Sequence, residues 1–143
     1  MTHFLADSRF DHVGLSVPDL EAGQEWYRRA LGLEPATPFA VAGTDLRGVM
    51  LRHPSGYRIE LLHRPAARPR PAAGDPIEAA GTLGYGHLCL SVPDVASAYE
   101  RLLAEGATTR MAPSPAPRAG ATVAFVADPY GNLIELIDHR PAP

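Results

Sequence analysis

Apolar residues recur along the chain in two arrangements, and each arrangement occurs once in either half. Short β-branched runs at 10–17 and 85–92 both lead into Val-Pro-Asp, a sequence typical of a strand that stops where proline removes a hydrogen-bond donor. Helical spacing of apolar residues follows over 20–31 and from 95 to about 105. Each half is therefore predicted to begin with a strand and a helix that covers one face of a sheet.

Both predicted helices carry start and stop signals. Asp19 and Asp94 stand where a carboxylate can accept the free amides of the first helical turn. Gly32 and Gly106 follow the last apolar positions and favour helix termination. These signals predict helix bounds close to those of the apolar pattern.

Each half then ends in a predicted β-hairpin. Strand-like runs at 49–52 and 57–62 flank a turn in the first half, and runs at 123–127 and 132–137 do so in the second. The proline-rich segment 113–118 is predicted to be a loop that borders a ligand cavity, because proline is excluded from helix interiors and central strands.

The order of elements predicts an α+β fold made of two tandem modules. We expect one domain over 1–143, with a first module at 9–62 and a second at 85–138. The Pro/Ala-rich segment 63–84 is predicted to be an extended, semi-rigid linker rather than a packed element.

Two pairs of chemistry-bearing residues share one sequence offset. His12 and Glu60 are followed 75 residues later by His87 and Glu135, in matching local sequence. One such polar residue is ordinary, but a duplicated pair is hard to explain by packing alone. Imidazole and carboxylate are ligands of divalent metals, so the four residues are predicted to bind one metal ion.

Strand alternation predicts the neighbours of these ligands on one sheet face. Arg58 would lie beside Glu60, either as a contact for an anionic substrate or as the charge partner of Glu60. Tyr85 and Cys89 would flank His87, and Tyr85 is a candidate for the cavity wall. Cys89 is a candidate substrate contact, although a small buried apolar role is the stronger interpretation of a lone cysteine.

Composition excludes several partners. The 143 residues are 45% hydrophobic and carry a net charge of −3, which gives no extended field for nucleic acid or anionic membranes. No apolar run approaches the length of a membrane helix. The single cysteine excludes an internal disulfide framework, and the first residues lack an apolar signal region, so a cytoplasmic location is expected.

The repeated motifs resemble the vicinal oxygen chelate superfamily, which includes glyoxalase I, methylmalonyl-CoA epimerase, extradiol dioxygenases and the fosfomycin and bleomycin resistance proteins. The resemblance rests on the two His-x-x-x-x-Val-Pro-Asp stretches and on the ending Asp-Pro-Tyr-Gly-Asn-Leu-Ile-Glu-Leu at 128–136. It implies that two βαβββ modules curl into an incomplete β-barrel around a metal. It also implies that His12, Glu60, His87 and Glu135 are the ligands, as in bacterial glyoxalase I.

The chain departs from several members of this superfamily. A methylmalonyl-CoA epimerase would usually carry Gln at the position of Glu60, and an extradiol dioxygenase would use one carboxylate. A glyoxalase I would carry an arginine at Ser16 and an asparagine at Arg64 to hold glutathione, with Arg58 and Arg47 as conceivable substitutes. We therefore predict that efficient glutathione-dependent glyoxalase I activity is absent.

The ligand chemistry predicts proton transfer at carbon. Zn, Ni, Co, Mn or Fe at these residues would act as a Lewis acid toward a small substrate with adjacent oxygens, and a carboxylate would move the proton. The resemblance to glyoxalase I makes Glu135 the first candidate base and Glu60 the second. The expected class is a metal-dependent lyase, isomerase or epimerase. The alternatives are a metal-idle protein that sequesters a small molecule and a non-haem iron dioxygenase.

A homodimer is expected, because pairing would protect the exposed edges of two sheets. The metal site is expected either within one chain or shared between chains that swap halves.

Overall fold

The computed structural model describes residues 6–118 and 120–139. The chain divides into two compact units at residues 65 and 66, inside the predicted linker. Each unit contains one mixed sheet with a helix against it, which confirms the α+β class. None of the helices in the described part of the chain combines the length and apolar character that a membrane span requires.

The first unit has a sheet with the strand order β1-β5-β4-β2, and β3 also pairs with β4. The first strand runs parallel to β5, and the remaining pairings are antiparallel. Its elements are β1 (Val13–Ser16), α1 (Leu20–Leu31), β2 (Glu34–Pro35), β3 (Phe39–Ala40), β4 (Arg47–Arg52) and β5 (Arg58–His63).

The second unit has a sheet with the strand order β6-β9-β8-β7 and the same parallel pairing of its first and last strands. A short helix precedes it in the chain. Its elements are α2 (Pro76–Ala80), β6 (His87–Ser91), α3 (Val95–Ala104), β7 (Thr108–Pro115), β8 (Thr122–Ala127) and β9 (Leu133–Asp138).

The predicted helix signals act as expected. Asp19 accepts a hydrogen bond from the Ala22 amide at 2.7 Å, and Asp94 accepts one from the Ser97 amide at 3.0 Å. Gly32 ends α1 with φ 68°, a left-handed conformation in which the absence of a Cβ avoids strain. Local sequence therefore determines where these helices begin and end.

One face of each sheet is buried against its helix. In the first unit α1 covers a face that carries Ile59 and Leu61, both almost inaccessible to solvent. In the second unit α3 covers the face that carries Ile134 and Leu136. Because side chains alternate along a strand, the intervening residues of β5 and β9 lie on the opposite face. The two predicted carboxylate ligands are among them.

One predicted strand has different bounds in the structure, and one predicted loop was partly wrong. The first strand spans Val13–Ser16 instead of 10–17, and Phe10 is exposed. The proline-rich segment 113–118 is not wholly a loop, because β7 continues to Pro115. That strand lies at the edge of its sheet, and register shifts interrupt its pairing with β8. An irregular edge strand tolerates prolines because ladder hydrogen bonds are not required on its outer side.

The linker contains a helix that its composition did not predict. Asp75 caps α2 by accepting from the Glu78 amide at 2.8 Å, and Pro76 occupies the first turn, where no amide donor is needed. The helix has no buried residue.

Candidate metal centre

The first predicted ligand pair lies on the face of the first sheet that is opposite α1. Glu60 is opposite Gly14 in the parallel pairing of β1 with β5, and His12 immediately precedes β1. The Nε2 atom of His12 is 3.4 Å from Oε2 of Glu60. A Cβ atom at Gly14 would be 3.5 Å from the same carboxylate oxygen, so a side chain at this position would contact Glu60.

The second predicted pair has the same register in the second sheet. Glu135 is opposite Cys89 in the pairing of β6 with β9, and Nε2 of His87 is 3.0 Å from Oε2 of Glu135. The His87 ring also meets Phe125 edge to face, with ring centroids 5.2 Å apart. The structure therefore places each histidine beside the glutamate that the repeat predicted.

The separations within both pairs fit shared coordination of an ion. Nitrogen and oxygen ligands lie about 2.0–2.2 Å from zinc-like metals, and two such ligands about 90–109° apart at the ion are separated by about 3.0–3.4 Å. Among the described residues there is no group of three or more His, Cys, Asp and Glu side chains arranged to hold a metal. The union of both pairs in one four-ligand site stays a prediction.

Asp11 is a site residue that the sequence reasoning missed. Nδ1 of His12 donates to Oδ2 of Asp11 at 2.6 Å. Arg58 forms an ion pair with the same carboxylate, and its Nε donates to the main-chain oxygen of Asp11 at 3.1 Å. The hydrogen bond from His12, and next the charge of Arg58, lower the pKa of Asp11. Arg58 thus pairs with Asp11, not with Glu60.

The signal for Asp11 was present in the sequence. The residue before the first histidine is an aspartate, whereas the corresponding residue of the second half is Gly86. Carboxylates often accept the second N–H of a metal-binding histidine. The aspartate beside His12, which has no counterpart beside His87, could therefore have been predicted as its hydrogen-bond partner.

Cys89 is exposed, and the prediction of a buried thiol was wrong. Partial desolvation against the sheet and the adjacent Glu135 carboxylate, to which it is hydrogen bonded, raise the pKa of Cys89 to about 12. The thiol therefore stays protonated at neutral pH and is a poor nucleophile. Its position beside Glu135 leaves a contact with substrate as a prediction.

The remaining predicted contact residues lie in differing surroundings. Tyr85 precedes β6 and is 92% exposed, so a contact with substrate stays a prediction for it. Arg47 is paired with Glu21 at 3.2 Å, and Arg64 with Asp45 at 2.6 Å. Both arginines are thus engaged by carboxylates of the protein itself.

Comparison with known proteins identifies the family. The model of the "Glyoxalase/Bleomycin resistance protein/Dioxygenase superfamily" matches residues 9–136. The chain belongs to this superfamily, as the repeated motifs predicted.

Individual relatives differ in how much of their length the chain covers. It is 36% identical over 133 residues to an ethylmalonyl-CoA/methylmalonyl-CoA epimerase from Cereibacter sphaeroides, which covers 90% of the chain and 96% of that protein. It is 29% identical over 138 residues to a lactoylglutathione lyase from Arabidopsis thaliana, 94% of the chain but 46% of that protein.

A solved structure supports the fold. The glyoxylase/bleomycin resistance protein/dioxygenase domain from Frankia sp. EAN1pec superposes with a TM-score of 0.72 at 19% identity, over 95% of both chains.

Proposed function

We propose that this protein is a divalent-metal-dependent epimerase that moves the proton at C2 of 2-alkylmalonyl thioesters of coenzyme A. The observation that carries the proposal is the pair of His–Glu contacts at equivalent register in the two modules. The substrate class is supported by the relative that the chain covers almost completely, whose name specifies this epimerase activity.

The proposed ligands are His12, Glu60, His87 and Glu135. Neutral imidazole nitrogens and carboxylate oxygens suit Zn, Ni, Co, Mn or Fe, without distinguishing among them. When bound, the metal would supply Lewis-acid polarisation of the substrate carbonyl and so acidify the adjacent C–H.

Epimerisation requires that a proton leave one face of C2 and return to the opposite face. One carboxylate takes the proton, and a second, protonated carboxyl group returns another proton, so that proton number and charge balance. The chain offers one carboxylate per module for this purpose. Glu135 would act as the base once it has left the metal, and Glu60, detached and protonated, would be its counterpart. In the reverse reaction the two groups exchange roles.

The surroundings of Glu135 favour proton transfer. Leu133 and Ile137 flank it on the same strand face, and Phe125 is its register partner on β8. These buried apolar side chains would limit the access of water to Glu135 and to a substrate held beside it.

A decisive test measures deuterium incorporation at C2 of the substrate in D₂O. Metal-loaded protein should place deuterium at C2 of stereochemically pure methylmalonyl-CoA or ethylmalonyl-CoA and equilibrate the two epimers, measured by NMR against an enzyme-free control. Dialysis against chelator should remove the activity, and the surface variant Glu25→Gln should keep it.

Each alternative has its own outcome in the same experiment. Oxygen consumption with cleavage of the substrate would indicate a dioxygenase. A sequestering protein would bind the substrate tightly without exchanging its C2 proton. Elemental analysis of that protein would also show far less than one metal ion per site. Exchange no faster than the enzyme-free control would overturn the epimerase proposal.

We further propose that the working form is a homodimer. Within its own sheet, each of β1 and β6 is paired on one side only, and such edges are commonly covered in an assembly. Light scattering should give twice the mass of one chain.

A further inference from the structure

The contact between Asp11 and His12 determines which imidazole nitrogen is available to a metal. A carboxylate without its proton can only accept, so Nδ1 of His12 must carry the hydrogen in their 2.6 Å contact. The lone pair of the neutral ring is then on Nε2, the atom that faces Glu60. Asp11 thus selects the tautomer and the ring orientation that coordination requires.

Asp11 is exposed, yet its position is restrained. Arg58 binds both its carboxylate and its main-chain oxygen. This double attachment joins the segment before β1 to the start of β5, the strand that carries Glu60. The guanidinium therefore connects the segment that carries His12 to the strand that carries Glu60.

The second module lacks this support. The residues at the offset of 75 are Gly86 and Leu133, which offer neither a carboxylate nor a cation. His87 instead packs its ring against Phe125. The two histidines thus differ in how their orientation is maintained.

We propose that Asp11, held by Arg58, is a positioning residue that orients His12 for metal binding and makes the first pair the stronger half of the metal site. The proposal rests on the proposed metal-dependent function and adds a residue to it. Hydrogen-bond partners of metal ligands typically change metal affinity by about 10–100-fold when they are removed.

The test measures metal affinity instead of turnover. Zn²⁺ and Co²⁺ dissociation constants would be determined by competition with a chromophoric chelator for wild type, Asp11→Asn and Asp11→Ala. We expect about 10–100-fold weaker binding in Asp11→Ala and a smaller loss in Asp11→Asn, which keeps an uncharged acceptor. Asp45→Ala is the matched control, because Asp45 is also an exposed aspartate paired with an arginine, and its neighbouring histidine is His63, which is not a proposed ligand.

A second readout requires no metal. Long-range ¹H–¹⁵N NMR of the metal-free protein should show His12 protonated at Nδ1 in wild type and shifted toward protonation at Nε2 in Asp11→Ala. A purely structural role would leave this tautomer unchanged while lowering the melting temperature. The reverse change, Gly86→Asp, is sterically allowed, since a Cβ there would meet nothing within 4 Å. In the Asp11→Ala background it should recover part of the lost affinity through His87.

The outcomes separate this inference from the proposed function. Stoichiometric metal binding that Asp11→Ala weakens no more than Asp45→Ala does would overturn the inference alone. Failure of the wild-type protein to bind any divalent metal would overturn both.

Discussion

The two modules keep the same His–Glu contact but surround it differently. In the first module Asp11 and Arg58 form a charged network beside His12. In the second, the residues beside His87 and Glu135 are mainly apolar, with a protonated thiol at Cys89. The His–Glu contact therefore keeps the same strand register in both modules, while the residues around it differ.

The divergence also reaches the strand positions that pair across each sheet. Phe39 is opposite Gly48 in the first module, whereas the corresponding second-module pair is Ser114 opposite Val123. The larger side chain of the pair is Phe39 on β3 in the first module and Val123 on β8 in the second. Such a reciprocal exchange keeps the local volume similar and maintains packing.

The largest expected effect concerns the two carboxylates. Glu135→Gln should keep much of the bound metal and lower activity by about 10²–10⁴-fold, the usual contribution of a positioned general base. Glu60→Gln should block epimerisation but leave deuterium exchange of one epimer, because Glu135 can still remove and return its proton on one face. Identical loss of exchange for both epimers in both variants would contradict unequal roles.

The next effect concerns the histidines. His12→Ala and His87→Ala should both lower metal content and the melting temperature of the metal-loaded protein, because metal that binds the native state stabilises it by mass action. We expect the larger loss of affinity in His12→Ala, the histidine with the charged support. Titration by chelator competition measures both constants, and unaltered metal occupancy in His87→Ala would contradict its role as a ligand.

A smaller effect concerns glutathione. The methylglyoxal–glutathione hemithioacetal should be turned over with kcat/KM below the usual enzyme range of about 10⁴–10⁸ M⁻¹s⁻¹. Each missing charge-assisted contact costs about 1.5–3 kcal/mol, or one to two decades in affinity. Arg47 and Arg64 are engaged by Glu21 and Asp45. Assays with Ni, Co, Zn and Mn in turn would check this, and an efficient reaction with any of them would favour glyoxalase I activity.

The smallest expected effect concerns the packing of Phe39 against Gly48. A Cβ atom at Gly48 would be 2.5 Å from Cζ of Phe39 and 3.0 Å from the Leu61 carbonyl oxygen. Gly48→Ala should therefore reduce the free energy of unfolding by about 1–3 kcal/mol, the usual cost of overpacking. Phe39→Ser in the same chain should recover part of that loss. Gly86→Ala is the control, since its Cβ would meet nothing within 4 Å, and an equal loss there would contradict the packing explanation.

Much of the fold was predictable because its signals are local. The helix caps at Asp19 and Asp94 depend on residues three positions away, and the hairpin strands follow from alternation and turn residues. The errors arose where the local sequence pattern gave no information on whether a segment lies at the edge or in the centre of a sheet. Prolines in β7 indicated a loop, but an edge position accepts them.

The sequence by itself determined the element order, the two-module repeat and the pairing of each histidine with a glutamate. These follow from periodicity and from one offset repeated twice, which are visible without coordinates. Only the tertiary structure decided the partner of Arg58, because its contact with Asp11 joins residues 47 positions apart. That contact depends on the parallel register of β1 and β5, and the exposure of Cys89 is likewise known only from the structure. Which residues meet across a sheet is determined by strand pairing, and a single strand's pattern does not specify it.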